Sequence, residues 1–173
     1  MARLELRTYP DPVLRETCTE VTLFDEKLEK LATDMLETMY FNDGLGLAAP
    51  QVGVSKRLLV LDVAPGEERG KNPIVLINPK IVDGEGTIEW DEGCLSLPDL
   101  NVVMARKAHI VVQAQNIKGE PIELPCDELL SVAVQHEMDH LEGKLLIDYL
   151  PPLKRRMVAR DFRKKKEKEL EDI

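Results

Sequence analysis

The chain has 173 residues, 43% of them hydrophobic and 32% charged, with a net charge of −9. This is one domain's length with enough apolar residues to bury a core, which excludes a disordered chain. No apolar run approaches the roughly 20 residues that cross a bilayer, so no membrane partner is expected. Residues 1–7 mix both charge signs without a signal-peptide stretch. A cytoplasmic protein is expected, or one of an organelle matrix if a transit segment has been removed. Cys18, Cys94 and Cys126 are too few and too scattered for a disulfide framework, which points to reduced thiols. Residues 1–153 hold 14 Lys and Arg against 27 Asp and Glu, whereas residues 154–173 hold 9 against 5. An acidic body is a poor partner for polyanions, so any nucleic-acid contact belongs to the basic tail.

In chain order, Tyr9-Pro10-Asp11-Pro12 predicts a turn. Leu28, Leu31, Met35, Leu36 and Met39 recur at helical spacing and predict a helix over residues 25–40, stopped by Asn42 and Gly44. A glycine-rich loop follows, Gly44-Leu45-Gly46-Leu47-Ala48-Ala49-Pro50-Gln51. Short β-like runs then dominate, at 57–63, 74–78, 80–83, 86–90 and 109–115. The turn Asn116-Ile117-Lys118-Gly119 leads into another at 121–124. Asp127 is placed to cap a second helix over 128–141, ended by Gly143. That helix is apolar on most sides, so it should lie central and buried. A charged helix is expected from about Pro152. The pattern predicts an α+β fold, with mixed or antiparallel β-sheets packed around a central helix and a charged C-terminal helix. Residues 1–153 are read as the catalytic body and 154–173 as a basic helical tail of the same domain.

The second helix carries His136-Glu137-Met138-Asp139-His140. Histidines four apart project from one face about one turn apart, which lets two nitrogens bind one ion at about 2 Å. Glu137 can reach the remaining coordination position and act as general base toward a water there. A lone buried histidine is usually a hydrogen-bonded core residue, but two of this chain's three histidines fall in one such motif. A catalytic site of this kind needs a third protein ligand. Proteases with the motif find it downstream, but position 146 is Leu146, and Glu167, Glu169 and Glu171 lie in the charged tail. Cys94, in Glu92-Gly93-Cys94-Leu95-Ser96, can replace it as a thiolate. Cys18, Cys126 and His109 read as structural. Asp139 and Gln135 are candidates to orient the histidines. The glycine-rich loop is a weak phosphate-loop signal, since no Lys-Ser/Thr pair follows.

Three motifs, Gly44 to Gln51, Glu92 to Ser96 and Gln135 to His140, occur in the order and approximate spacing of the peptide deformylases. The chain closely resembles that family over at least residues 4–153. Tyr9-Pro10-Asp11-Pro12-Val13-Leu14 and Gly143-Lys144-Leu145 are also similar to it. The resemblance implies removal of the N-terminal formyl group from formyl-methionyl nascent polypeptides, through attack by a metal-held hydroxide. It makes Cys94, His136 and His140 the metal ligands, Glu137 the general acid/base, and Gln51 with the Leu95 backbone N–H the oxyanion donors. It assigns substrate binding to Gly44, Leu45, Gly46, Trp90, Glu92, Gly93, Leu129, Val132 and Ala133. It also implies ferrous iron, with zinc, nickel or cobalt able to substitute; the ligand set alone would indicate zinc. Where some relatives carry an arginine near position 101 that holds the peptide backbone, this chain has Asn101. Two other readings compete. One is a metallopeptidase or other small-acyl amidase. The other is a ribosome-binding factor acting through the tail, which family members with such a tail are thought to dock near the nascent-chain exit. Nothing in the sequence requires more than a monomer.

Overall fold

A computed structural model of the chain describes residues 2–171. Met1 and the last two residues of the expected tail, Asp172 and Ile173, lie outside the described residues. The first helix, α1 (Glu26–Phe41), begins where Asp25 caps the Leu28 N–H with its side chain and ends at Asn42, whose amide bonds the Thr38 carbonyl. Its inner face buries Leu28, Ala32, Met35 and Met39. Seven strands follow: β1 (Gly46–Ala48), β2 (Leu58–Leu61), β3 (Ile74–Glu85), β4 (Ile88–Cys94), β5 (Leu97–Arg106), β6 (His109–Gln115) and β7 (Pro121–Asp127). Then come α2 (Glu128–Leu141) and α3 (Pro152–Glu171). No helix among the described residues is long and apolar enough to cross a membrane.

The strands form a five-stranded sheet in the order β1-β2-β3-β6-β7 and a two-stranded sheet of β4 and β5. Every ladder is antiparallel, and the parallel pairing is the isolated bridge Thr19–Lys56. The expected runs 74–78 and 80–83 are one strand. The Asn78-Pro79 break between them becomes an irregularity, with Asn78 at φ 52°, and the Asn78 amide bridges the Val21 carbonyl and Gln115. β5 was not expected at all.

β2 is buried on both faces. Leu58 and Val60 pack with α1, and Leu59 and Leu61 pack with Ala133, Val134 and Leu141 of α2. Helix α2 lies against β1, β2, β6 and β7 of the larger sheet and against β5 of the smaller one. It is therefore the buried central helix that its composition predicted. Asp127 does precede it, but the Asp127 carboxylate goes to His109 Nδ1 at 2.8 Å instead of capping a helix N–H. The N-terminal turns are tied down elsewhere, by Ser131 Oγ and Gln135 Nε2 on the Lys107 carbonyl. Helix α3 anchors Val158, Ala159 and Phe162 on a third cluster containing Tyr9, Leu97, Met104 and Leu145. Its basic residues are exposed except for Lys166, which is half-buried.

Candidate metal centre and active site

Helix α2 and the β4–β5 hairpin bring the three predicted ligands together. One donor atom from each of Cys94, His136 and His140 lies within 4.8 Å of the others. Cys94 Sγ is 3.4 Å from His140 Nε2, and the two imidazoles meet edge to face at 5.1 Å between centroids. Both histidines are buried and Cys94 is half-buried. Glu137 is 5% exposed, with its Oε2 4.0 Å from His136 Nε2. Burial pushes the Glu137 carboxyl up to about 7, reinforced by Glu92 and opposed by His136.

His136 is oriented from behind. Its Nδ1 lies 3.0 Å from Glu92 Oε1, which turns Nε2 toward Cys94 and Glu137. Glu92 in turn receives two 2.8 Å hydrogen bonds from Arg106, through Nε and Nη2. Arg106 also donates to Asp139 at 2.8 Å, and the Tyr149 hydroxyl donates to the same Asp139 oxygen. Burial would raise the Glu92 carboxyl, but the hydrogen bonds from Arg106 and His136 hold it below the usual carboxylate range. Asp139 thus acts on the histidines only through Arg106 and Glu92, and Gln135 does not reach them. Glu92 borders the cavity, yet its carboxylate is committed to Arg106 and His136.

A cavity of about 440 Å³ opens onto the cluster. All of Gly44, Leu45, Gly46, Gln51, Trp90, Glu92, Gly93, Cys94, Leu95, Leu129, Val132, Ala133, His136 and Glu137 border it. Gln51 is 2% exposed: its Oε1 accepts the Ala48 N–H at 2.9 Å, and its Nε2 faces Ser96 Oγ at 3.1 Å and Cys94 Sγ at 3.6 Å. The two loop glycines serve protein contacts. A Cβ on Gly46 would sit 2.7 Å from Glu137 Oε2, and one on Gly44 would sit 2.9 Å from Leu95 Cδ1. Asn101 stands opposite Gly93 on the neighbouring strand, its Oδ1 3.0 Å from where a Gly93 Cβ would be.

A model of the polypeptide deformylase family matches residues 3–156. The chain belongs to that family. It is 48% identical over 166 residues to the peptide deformylase of Thermodesulfovibrio yellowstonii, covering 96% of this chain and 100% of the relative. The crystal structure of a Legionella pneumophila peptide deformylase superposes with a TM-score of 0.88 at 42% identity, covering 98% of each chain. The Ehrlichia chaffeensis enzyme in complex with actinonin superposes with a TM-score of 0.87 at 39% identity, covering 95% of this chain and 98% of that one.

The deformylase family is metal-dependent, and these residues suit a cation. Glu137 Oε1 is buried with no partner among the described residues. Although burial favours neutral imidazole, Glu137, Cys94 and Glu92 together hold His136 well above its usual pKa. The His140 imidazole is held well below its usual pKa by burial and by His136, which keeps its ring nitrogen free to coordinate, and the donor set of one cysteine sulfur and two imidazoles matches a tetrahedral divalent ion with one open position. Sequence reasoning missed Arg106, Ser96 and Tyr149. Ser96 lay inside a quoted motif, whereas Arg106 and Tyr149 carry no local pattern.

Proposed function

We propose that this protein removes the formyl group from the N-terminus of formyl-methionyl nascent polypeptides, using Cys94, His136 and His140 to hold one divalent ion. The convergence of those three side chains and Glu137 at an apolar cavity carries the reading. Ferrous iron is the expected ion, with zinc, nickel or cobalt able to substitute. A cation held there supplies Lewis acidity and lowers a water's pKa toward about 7. Glu137, buried and titrating near neutrality, takes the proton from the attacking water and returns it to the departing amine. The Gln51 amide and the Leu95 N–H face the developing oxyanion, and one such donor contributes about 3 kcal/mol in the transition state. Leu45, Trp90, Leu129, Val132 and Ala133 provide the apolar wall for the methionine side chain, and Gly44, Gly46 and Gly93 border the same cavity and offer backbone groups to the peptide. A formyl carbon bears only hydrogen, so a tight wall excludes acetyl and larger groups.

The test is formate release from a formyl-Met peptide by anaerobically prepared protein, beside Glu137→Ala and an acetyl-Met control. Formate lost in the variant, with no acetate from the control, is the expected result. Acetate release at a comparable rate would favour a general amidase, and no formate from metal-loaded protein would defeat the assignment.

The reading places the enzyme in the bacterial cytoplasm as a monomer, with the exposed cations of α3 as a docking face for the ribosome. The alternative for α3 is a solvent-facing helix with internal ion pairs. Because Val158 and Phe162 anchor this helix, neutralising Lys164, Lys165 and Lys168 tests docking more cleanly than truncation. Salt-sensitive co-sedimentation with ribosomes should weaken in that variant. Unchanged co-sedimentation would remove the docking role.

A further inference from the structure

The segment joining β2 to β3 is mostly exposed between residues 65 and 73, yet one side chain in it, Arg69, is half-buried. The Arg69 guanidinium donates through Nη1 to the Asp62 carbonyl at 2.9 Å and through Nη2 to the Gly44 carbonyl at 2.6 Å. It lies 5.0 Å from the centroid of the Tyr40 ring. Asp62, 2% exposed, anchors the arrangement. Its Oδ2 accepts from the Tyr40 hydroxyl at 2.6 Å and the Gly70 N–H at 2.8 Å, and its Oδ1 accepts from the Ala64 N–H at 3.1 Å. The Asp62 N–H donates to the Leu45 carbonyl at 2.9 Å. Two successive carbonyls of the cavity wall, Gly44 and Leu45, are thus captured by one loop. Leu45 itself is 40% exposed in the cavity and has no packed core of its own to hold it.

We propose that Arg69 is a positioning residue for substrate: by fixing the Gly44 carbonyl it sets the Gly44-Leu45-Gly46 wall against Leu129, Val132 and Ala133, and so determines how closely the first side chain of the peptide is gripped. The substrate half of this inference rests on the deformylase reading; the clamp itself does not. The guanidinium fork matters because one planar group reaches two carbonyl oxygens on different segments, which an ammonium cannot do in the same geometry. Wall placement acts on ground state and transition state alike, so its loss should appear in KM and in side-chain preference more than in kcat.

The experiment compares wild type, Arg69→Ala and Arg69→Lys as full-length, metal-loaded proteins, with thermal unfolding to confirm that each is folded. Arg69→Ala should raise KM for a formyl-Met peptide about tenfold with kcat within about twofold, the loss expected for one charge-assisted hydrogen bond. Its preference for formyl-Met over formyl-Ala peptides should fall by a similar factor. Arg69→Lys should lie between the two, and added methylguanidinium should lower KM in Arg69→Ala but not in wild type. Hydrogen exchange at the Asp62 and Gly70 amides, which donate to the Leu45 carbonyl and the Asp62 carboxylate, should quicken in Arg69→Ala, a readout that needs no turnover. Unchanged exchange would overturn the clamp. Faster exchange with unaltered KM and preference would overturn its role in gripping substrate. An inactive wild type would instead defeat the proposed function while leaving the exchange result to decide the clamp.

Discussion

Gly46→Ala is the sharpest test of how the site is packed. The backbone at Gly46 does not have a positive φ, so alanine is conformationally acceptable there and only the space is at issue. The new methyl would lie 2.7 Å from Glu137 Oε2, 2.9 Å from Glu137 Cγ and 2.9 Å from Leu61 Cδ2, where ordinary contact begins at 3.4 Å. Leu61 and Glu137 are both buried, so the methyl forces each to give way, Leu61 by about 0.5 Å and the Glu137 carboxylate by about 0.7 Å. Overpacking of this kind costs about 1–3 kcal/mol, partly offset by about 0.4–1 kcal/mol from the stiffer unfolded chain. The net cost of about 0–2.6 kcal/mol is, for a chain of this size, a fall in Tm of no more than about 10 °C. Activity should suffer more, because misplacing a reacting group by most of an ångström costs about 100-fold. Formate release under single-turnover conditions and calorimetry on the same preparation measure both. A folded Gly46→Ala protein with kcat within about twofold of wild type would refute the reasoning, since Glu137 would then have another acceptable position.

Arg106→Ala leaves the buried Glu92 carboxylate without its cation, which should cost about 3–5 kcal/mol. It should also weaken metal binding about 10- to 100-fold as His136 loses its orientation; chelator competition measures this, and unchanged affinity would mean that Glu92 orients His136 unaided. Gly143, at φ 74°, has the Arg15 carbonyl oxygen 2.5 Å from where a Cβ would stand. Gly143→Ala should therefore lose about 2 kcal/mol or more in denaturant unfolding. Asp148 is held below the usual carboxylate range: burial would raise it, but Arg15, bonding at 2.5 and 2.9 Å, and the Leu145 N–H outweigh burial. Its folded pKa is the lower one, so its contribution is complete above the unfolded value of about 4 and fades as pH falls through the folded value. Asp148→Asn should be destabilising at pH 7 and progressively less so below pH 4; a deficit unchanged between pH 7 and pH 2 would contradict this.

The helices were readable because their signals are local. Asp25 and Asn42 bracket α1 as capping residues, and the His136 to His140 spacing lies on a helix whose apolar faces announce burial. β5 was hidden by its own composition. Pro98, Asp99 and Asn101 read as turn formers, while the buried alternation Val102, Met104, Arg106 ends on a charge that looks solvent-facing until its hydrogen bonds to Glu92, further along the neighbouring strand, are seen. The ligand triad was legible for a different reason: the motif supplies two members, and one cysteine among three lies in a motif of its own. Arg106 and Arg69 were not, because a single charged residue in a strand or loop acquires its meaning only from partners far away in sequence. Gln135 shows the converse. Adjacent to a ligand in the chain, it points to the Lys107 carbonyl and plays no part in holding the imidazoles.

The three donor atoms are divided between two structural units, two on α2 and one at the tip of the β4–β5 hairpin. A lone two-stranded ribbon is marginal in water, and this one is held along its length by Leu97, Val102 and Met104 in the cluster with Tyr9 and Leu145, at its tip by the Tyr9 N–H on the Ser96 carbonyl, and from Arg106 to Asp139 of α2. A cation shared by Cys94, His136 and His140 would add a further tie between the tip of that ribbon and the buried helix α2. The reagent that makes the chemistry possible would then also keep the cavity mouth in shape, so that stripping it out would slacken the wall bearing Trp90 and Leu95 before the body of the fold felt any loss.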